Sequence, residues 1–494
     1  MATQRYHAGF AVENLQTIKD KLLAWADNFP VAVYLDSNEY PQARHSSWEC
    51  LVAAGAADQF QAPAGRAFRD LQDFYDKKQD WLFGFFGYDL KNEVEKLHSQ
   101  NHDGIGLPDL FFFQPEIVIG LRIVPRPRDG LRIADYYGQP LGSGAVSDMD
   151  QDEVSAPWFL EIFSLHPEVE SVLQEIINIS PYPGSAQSAP ELHNNPQSAI
   201  RPEASGQSAI RNPQSAIHLT PRLSQTAYLD TVDAIRRHII EGDLYEMNLC
   251  QEFYAENAAI DPLQTFRRLN GLARAPFSAY LRCNDQYLLC ASPERFLRKE
   301  GARLISQPIK GTRRRQPDAA EDTRLREELR QSEKDRAENV MIVDLVRNDL
   351  ARNCLPGTVQ VEELFGVYSF QTVHQMISTV CGTLRPEAHP LTALRDAFPM
   401  GSMTGAPKVM AMELIEQYEQ TRRGLFSGAA GYFSPEGNFD FNVVIRSILY
   451  NATTRYLSCQ VGGAIVYDSV PEQEYEECLV KMGAMNKALM MSDE

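Results

Sequence analysis

One stretch constrains the chain more than any other. From Pro183 to His218 it reads PGSAQSAPELHNNPQSAIRPEASGQSAIRNPQSAIH, with the triplet Gln-Ser-Ala starting at Gln187, Gln197, Gln207 and Gln214. Pro, Ser, Asn and Gln dominate and large apolar side chains are scarce. Such a segment cannot bury enough surface to offset its ordering entropy, so it reads as a disordered insertion or linker. Any core must be built by what flanks it. The expected organisation is an N-terminal region at 1–182, a low-complexity insertion at 183–218 and a larger unit at 219–494.

The flanks have the material for a core, since 44% of the 494 residues are hydrophobic. Lys and Arg number 47 against 66 Asp and Glu, a net charge of −19. That sign disfavours nucleic acid and anionic membrane as partners and suits an enzyme of small molecules. An anionic substrate then requires a local concentration of cations. The eight cysteines show neither CxxC nor zinc spacing, as expected in a reducing compartment. Met1 to Phe10 lacks a signal-peptide pattern and no apolar run is long enough to cross a membrane, so a soluble, cytoplasmic protein is expected.

Strand-like runs occur at Val31–Leu35, Trp81–Phe86, Leu110–Phe113 and Glu116–Ile119, with amphipathic helices around 12–27 and 64–79. Beyond 219, strands and helices alternate without a βαβ period, and there is neither a G-x-G-x-x-G after a strand nor a phosphate-binding Walker loop. The expected class is α+β.

Several short motifs in the second half could carry chemistry. Glu294, in Ser292-Pro-Glu-Arg-Phe296, follows a strand, a place where carboxylates are easily presented. Lys310 precedes Gly311 in Gln307-Pro-Ile-Lys-Gly-Thr312. It reads as a surface lysine in a basic loop, or as a partly desolvated amine of lowered pKa and hence a nucleophile. Leu329–Asp349 reads as one helix, with a capping-box pattern at Ser332–Asp335 and with Asp335 and Glu338 on one face. Those carboxylates complement the helix dipole or serve as hard ligands for Mg²⁺. Phe398–Lys408, with Ser402 and Thr404, precedes a helix and suggests an anion site. Arg446 ends an apolar run and needs an anionic partner, from substrate or protein. Gly462 and Gly463 interrupt a strand, which permits close approach. Glu474, Glu477 and Lys481 share one face of the last helix.

Taken in order, SPE, PIKGT, KDRAEN…DLVRND, GSMTGAPK, AAGYF, IR, VGGA and EYEE…K resemble the chorismate-utilising enzymes over about residues 222–487. That family includes anthranilate synthase component I, aminodeoxychorismate synthase component I, and the isochorismate and salicylate synthases. The resemblance implies the anthranilate-synthase-component-I fold, antiparallel sheets packed in a sandwich with surrounding helices. It implies chorismate as substrate and Mg²⁺ held by Glu338 and Glu477, with Asp335 and Glu474 as acidic neighbours. Arg446 is expected to grip the enolpyruvyl carboxylate, and Gly462, Gly463 and Lys481 to support the ring carboxylate. Thr404 and Phe426 are expected to line the substrate site. Glu294 and His374 are expected to be catalytic, Glu294 as the acid/base at the C4 hydroxyl.

Lys310 subdivides the family. Typical anthranilate synthases read PIAGT there, whereas aminodeoxychorismate synthases read PIKGT and use the lysine as a nucleophile. The resemblance thus implies amination of chorismate to 4-amino-4-deoxychorismate, feeding 4-aminobenzoate and folate synthesis, with ammonia from a glutamine amidotransferase subunit. Anthranilate synthesis is the alternative, and a non-catalytic amidotransferase-binding relative the more distant one. This chain departs from the family pattern at Glu246, usually glutamine in ammonia-using members, and at Phe426 and Ala464. Ser37 and Pro276 match part of the family's tryptophan pocket.

Overall fold

The computed structural model describes residues 3–40, 47–123, 158–181 and 217–491. Apart from Ile217 and His218, the Gln-Ser-Ala segment lies outside them. Ile217 packs against a hydrophobic core.

Among the described residues, twenty strands join in one antiparallel hydrogen-bonded network, flanked by helices. Alternation along the strands creates two cores. In Val31–Asp36, Val31 and Val33 enter one core while Ala32 and Tyr34 enter the other. In Gln286–Ser292, Leu288 and Cys290 face the first, and Tyr287, Leu289 and Ala291 the second. The first core is the sandwich interior, dense in Phe83, Phe85, Phe111, Phe112, Phe433 and Phe441. The second is covered by the helices Leu15–Ala26, Gln225–Glu241, Pro262–Ala273 and Pro471–Met490, through residues such as Trp25, Val232, Phe266 and Met485.

The segments before 182 and after 219 share this framework. Val31–Asp36 pairs with Phe277–Cys283, and Leu82–Phe86 pairs with Ala429–Phe433. Two sequence expectations change. Leu110–Phe113 and Glu116–Ile119 belong to one strand, Leu110–Ile123. Pro115, which has no N–H to donate, is accommodated by a bulge on the partner strand between Ala56 and Asp58. The expected helix at 329–349 is two, Ala319–Gln331 and Glu333–Ala351. Ser332 separates them and caps the second, accepting a hydrogen bond from the Asp335 N–H at 3.2 Å.

All eight cysteines are free and buried. No described helix is long and apolar enough to cross a membrane.

Candidate active site

Lys310 is a bulge residue rather than a loop residue. It lies in the strand Ile309–Arg314, where Ile309 pairs with Ile377 but Thr312 with Gln375, leaving one extra residue on the Lys310 side. Gly311 makes the bulge possible. Its φ is +84°, and a Cβ there would lie 2.8 Å from Asp335 Oδ1. Asp335 in turn accepts from Arg313 at 2.8 Å. The bulge turns Lys310 inward, where it is only 9% exposed.

Inside, Lys310 Nζ donates to Glu246 Oε1 at 2.5 Å. Glu338, Glu294 and Glu477 also act on its charge or feel it. Burial alone would lower the Lys310 pKa, but Glu246 and then Glu338 outweigh it, and the ammonium form is held above its ordinary range. This reverses the sequence expectation of a lowered pKa: the lysine is desolvated, but among carboxylates. Burial pushes Glu294 up to about 7, opposed by Ser402 and Lys310. Burial also pushes Glu338 up to about 7, opposed by Lys310 and reinforced by Glu246.

The last helix brings a second group. Burial pushes Glu477 up, but Lys481, 2.5 Å away, outweighs it and the net shift is downward. Lys481 Nζ also donates to the Gly462 carbonyl at 2.6 Å. A Cβ on Gly463 would stand 3.3 Å from Glu474 Oε2 and 3.4 Å from Glu477 Oε1. The absent side chain therefore leaves space in front of both carboxylates. Glu474 accepts from Ser469 at 2.7 Å and is raised by burial.

These donors suit a hard cation: all are carboxylate oxygens, they outnumber the local lysines, and Gly463 leaves them room. Among the described residues no three of them bring oxygens within 4.8 Å of one another, so a shared ion would draw them together. The group that does meet that spacing, His238, Glu241 and Asp243, is largely exposed, and its histidine is engaged by Asp243 at 2.7 Å and Tyr418 at 2.9 Å.

Arg446 is half-buried and adopts φ +53°, a strained setting for a non-glycine residue. Its side chain makes no hydrogen bond or ion pair with the described residues, and burial lowers its pKa against the pull of Glu477. The anionic partner expected for Arg446 is therefore not among the described residues. Thr404 is buried, with Oγ1 turned back on the Met400 and Gly401 carbonyls at 3.3 Å, so its hydroxyl is not offered to an anion. Its carbonyl accepts from the Asn248 N–H at 2.8 Å, tying this turn to the Glu246 strand. Gly405 permits that approach: its φ is +152°, and a Cβ would fall 2.1 Å from the Glu246 carbonyl oxygen. Phe426 lies in the sandwich core. His374 is buried with both ring nitrogens engaged, by Ser369 at 2.9 Å and Asp322 at 3.0 Å, which fastens its strand to the Ala319–Gln331 helix. Ser37 and Pro276 line one cavity together with Asp36, Trp48 and Glu49. There Lys19 pairs with Asp36 at 2.6 Å and Glu49 at 2.7 Å.

In the sequence Glu246 stands out only as a departure from a motif, and nothing local links Ser402 to Glu294. Both gain their place from contacts distant in sequence.

Fold and site together define a sandwich enzyme scaffold with a lysine set among carboxylates. The chain belongs to the chorismate binding enzyme family, whose model matches residues 30–487. It is 42% identical over 282 residues to aminodeoxychorismate synthase component 1 of Escherichia coli (strain K12), covering 56% of this chain and 62% of that protein. The match thus spans less than two thirds of that relative's length. It is 34% identical over 412 residues to anthranilate synthase component 1 of Thermus thermophilus, covering 83% of this chain and 78% of that protein. Among solved structures, anthranilate synthase component I from Streptococcus pneumoniae superposes with a TM-score of 0.67 at 25% identity, covering 88% of this chain and 91% of that one.

Proposed function

We propose that this chain aminates chorismate with ammonia to 4-amino-4-deoxychorismate, supplying 4-aminobenzoate for folate synthesis. The observation that carries the reading is the position of Lys310, held inward by the Gly311 bulge and touching Glu246. Mg²⁺ held by Glu338 and Glu477 would neutralise and position the ring carboxylate. Arg446, a guanidinium with no described protein partner, binds the enolpyruvyl carboxylate, and Lys481 with the Gly462–Gly463 backbone supports the ring carboxylate.

Lys310 must lose a proton before it can attack, and Glu246 is the acceptor it already touches. The freed amine forms a bond to C2. The two ring double bonds shift by one position, and the C4 hydroxyl leaves as water with a proton from Glu294. A carboxyl raised to about 7 suits that donor role. Ammonia then bonds to C4 and the nitrogen's proton goes to the Glu294 carboxylate, the double bonds return, the C2–nitrogen bond breaks, and Glu246 returns its proton to the Lys310 amine.

The partner is a glutamine amidotransferase that supplies the ammonia, a reading supported by the "component 1" in the relatives' names. The coverage of the Thermus relative keeps anthranilate formation as the second reading. Incubation with chorismate, Mg²⁺ and ammonium separates them. The proposal expects a non-fluorescent product that retains the enolpyruvyl group by mass. Fluorescent anthranilate with release of pyruvate would favour the second reading.

A further inference from the structure

A small cavity lies behind Glu294, walled by the strand Arg295–Glu300, the helix Glu333–Ala351 and the turn at Gly401–Met403. It offers about 20 Å³ to the centre of a water-sized molecule, which is room for one or two such molecules and far too little for chorismate.

Its polar lining is biased toward acceptors. Asp349 is 4% exposed. Its Oδ2 takes a hydrogen bond from Lys408 at 2.8 Å, while its Oδ1 is buried with no hydrogen-bond partner among the described residues. The Ser306 hydroxyl donates to the Phe296 carbonyl at 2.7 Å, which leaves its oxygen only as an acceptor. The Ser402 hydroxyl is close enough to Glu294 to lower that carboxyl but makes no well-aligned hydrogen bond. Glu294 itself forms one wall. Arg295, the one cation among the lining residues, has its guanidinium committed to Asp440 at 2.9 and 3.0 Å and to Gln307 at 2.6 Å. A buried carboxylate oxygen without a donor is costly, and a small ligand carrying only donors relieves it.

We propose that this cavity is a binding site for ammonium, which holds the incoming nitrogen beside Glu294, whose carboxylate, left by protonating the C4 hydroxyl, takes the proton that ammonium must lose before it attacks. The proposal rests on the amination reading above and adds where the nitrogen waits. It also predicts that affinity for ammonium and affinity for chorismate are set by different residues.

Two variants of the full chain test it. Asp349→Asn keeps the size of the side chain and removes the charge. Ala397→Leu adds bulk at the cavity wall and replaces no polar side chain, the Ala397 carbonyl that accepts from Lys408 at 3.3 Å being kept. In Mg²⁺ and ammonium, each should raise KM for ammonium by about tenfold or more, Asp349→Asn through loss of a charged acceptor and Ala397→Leu through loss of room, with chorismate affinity within about twofold of the parent. Crystals soaked in rubidium, a monovalent cation of similar size to ammonium, should show an anomalous peak beside Asp349 Oδ1 that ammonium displaces. Unchanged KM for ammonium in both folded variants, or no rubidium peak, would overturn the site. A displaceable peak in a chain that aminates nothing would support the site and overturn the reaction assignment alone.

Discussion

The Lys310 ammonium sits 2.5 Å from the Glu246 carboxylate, and both side chains are buried. The other oxygen, Glu246 Oε2, has no hydrogen-bond partner among the described residues. The pair therefore holds a charge balance that neither partner keeps alone. Breaking a buried pair from one side costs about 3–5 kcal/mol, because the survivor stays buried and uncompensated. Lys310→Ala is expected to lose stability on that scale, contrary to what a loop lysine would imply. Adding Glu246→Gln should recover most of the loss. Denaturant unfolding of the two single variants and the double variant checks this, and additive losses would show that the pair is not coupled.

Mg²⁺ affinity should depend on pH through Glu338. Its carboxyl is raised to about 7, so below that pH a proton competes with the ion. The dissociation constant should fall as pH rises through about 7 and level off above it. Calorimetry in buffers of different ionisation enthalpy should detect about one proton released per ion near pH 6. Glu338→Gln and Glu477→Gln should each weaken Mg²⁺ by more than the ~10–100-fold typical of losing an outer contact, with the fold retained.

Glu294 makes an opposite demand on stability. Its folded pKa of about 7 lies above the ordinary 4.5. A raised carboxyl stabilises the folded state fully below the ordinary value, and that contribution is lost as pH rises through about 7. Glu294→Gln should flatten the decline in stability between these limits and reduce turnover by about 10²–10⁴-fold, as loss of a general acid does. A variant with parental turnover at pH 6 would remove Glu294 from proton transfer.

The strands and helices that alternate cleanly were legible in the sequence, as were the acidic positions of the last two site helices. Val31–Asp36 reads as a strand because its residues feed two cores in turn. Helical spacing alone puts Glu474, Glu477 and Lys481 on one face, and the strand glycines mark a place of close approach, but only the fold shows that Gly463 faces Glu474 and Glu477. What the sequence did not disclose was pairing at a distance. No local pattern says that Lys310 meets Glu246, 64 positions away, or that the ring of His374 is taken up by Ser369 and Asp322. The break at Ser332 is not visible locally because its capping pattern sits inside a longer apolar period.

Composition carries one further prediction. Replacing 183–216 with a short Gly-Ser bridge should leave ammonia-dependent turnover within a few-fold of the parent, because loop length changes closure entropy only slowly. Ile217 must be kept, since it packs against the core. Loss of soluble protein on this deletion would show that the segment contributes to folding.

The most direct test of the account is the product distribution of the Lys310→Ala, Glu246→Gln double variant, with its fold and its Mg²⁺-dependent chorismate binding verified first. If Lys310 is the nucleophile, formation of 4-amino-4-deoxychorismate should be largely lost, any remaining amination should shift to C2, and quenched parent enzyme should carry an adduct on the peptide containing Lys310. Undiminished synthesis of 4-amino-4-deoxychorismate by that variant would contradict the nucleophile assignment and, with it, the ground for choosing this reaction.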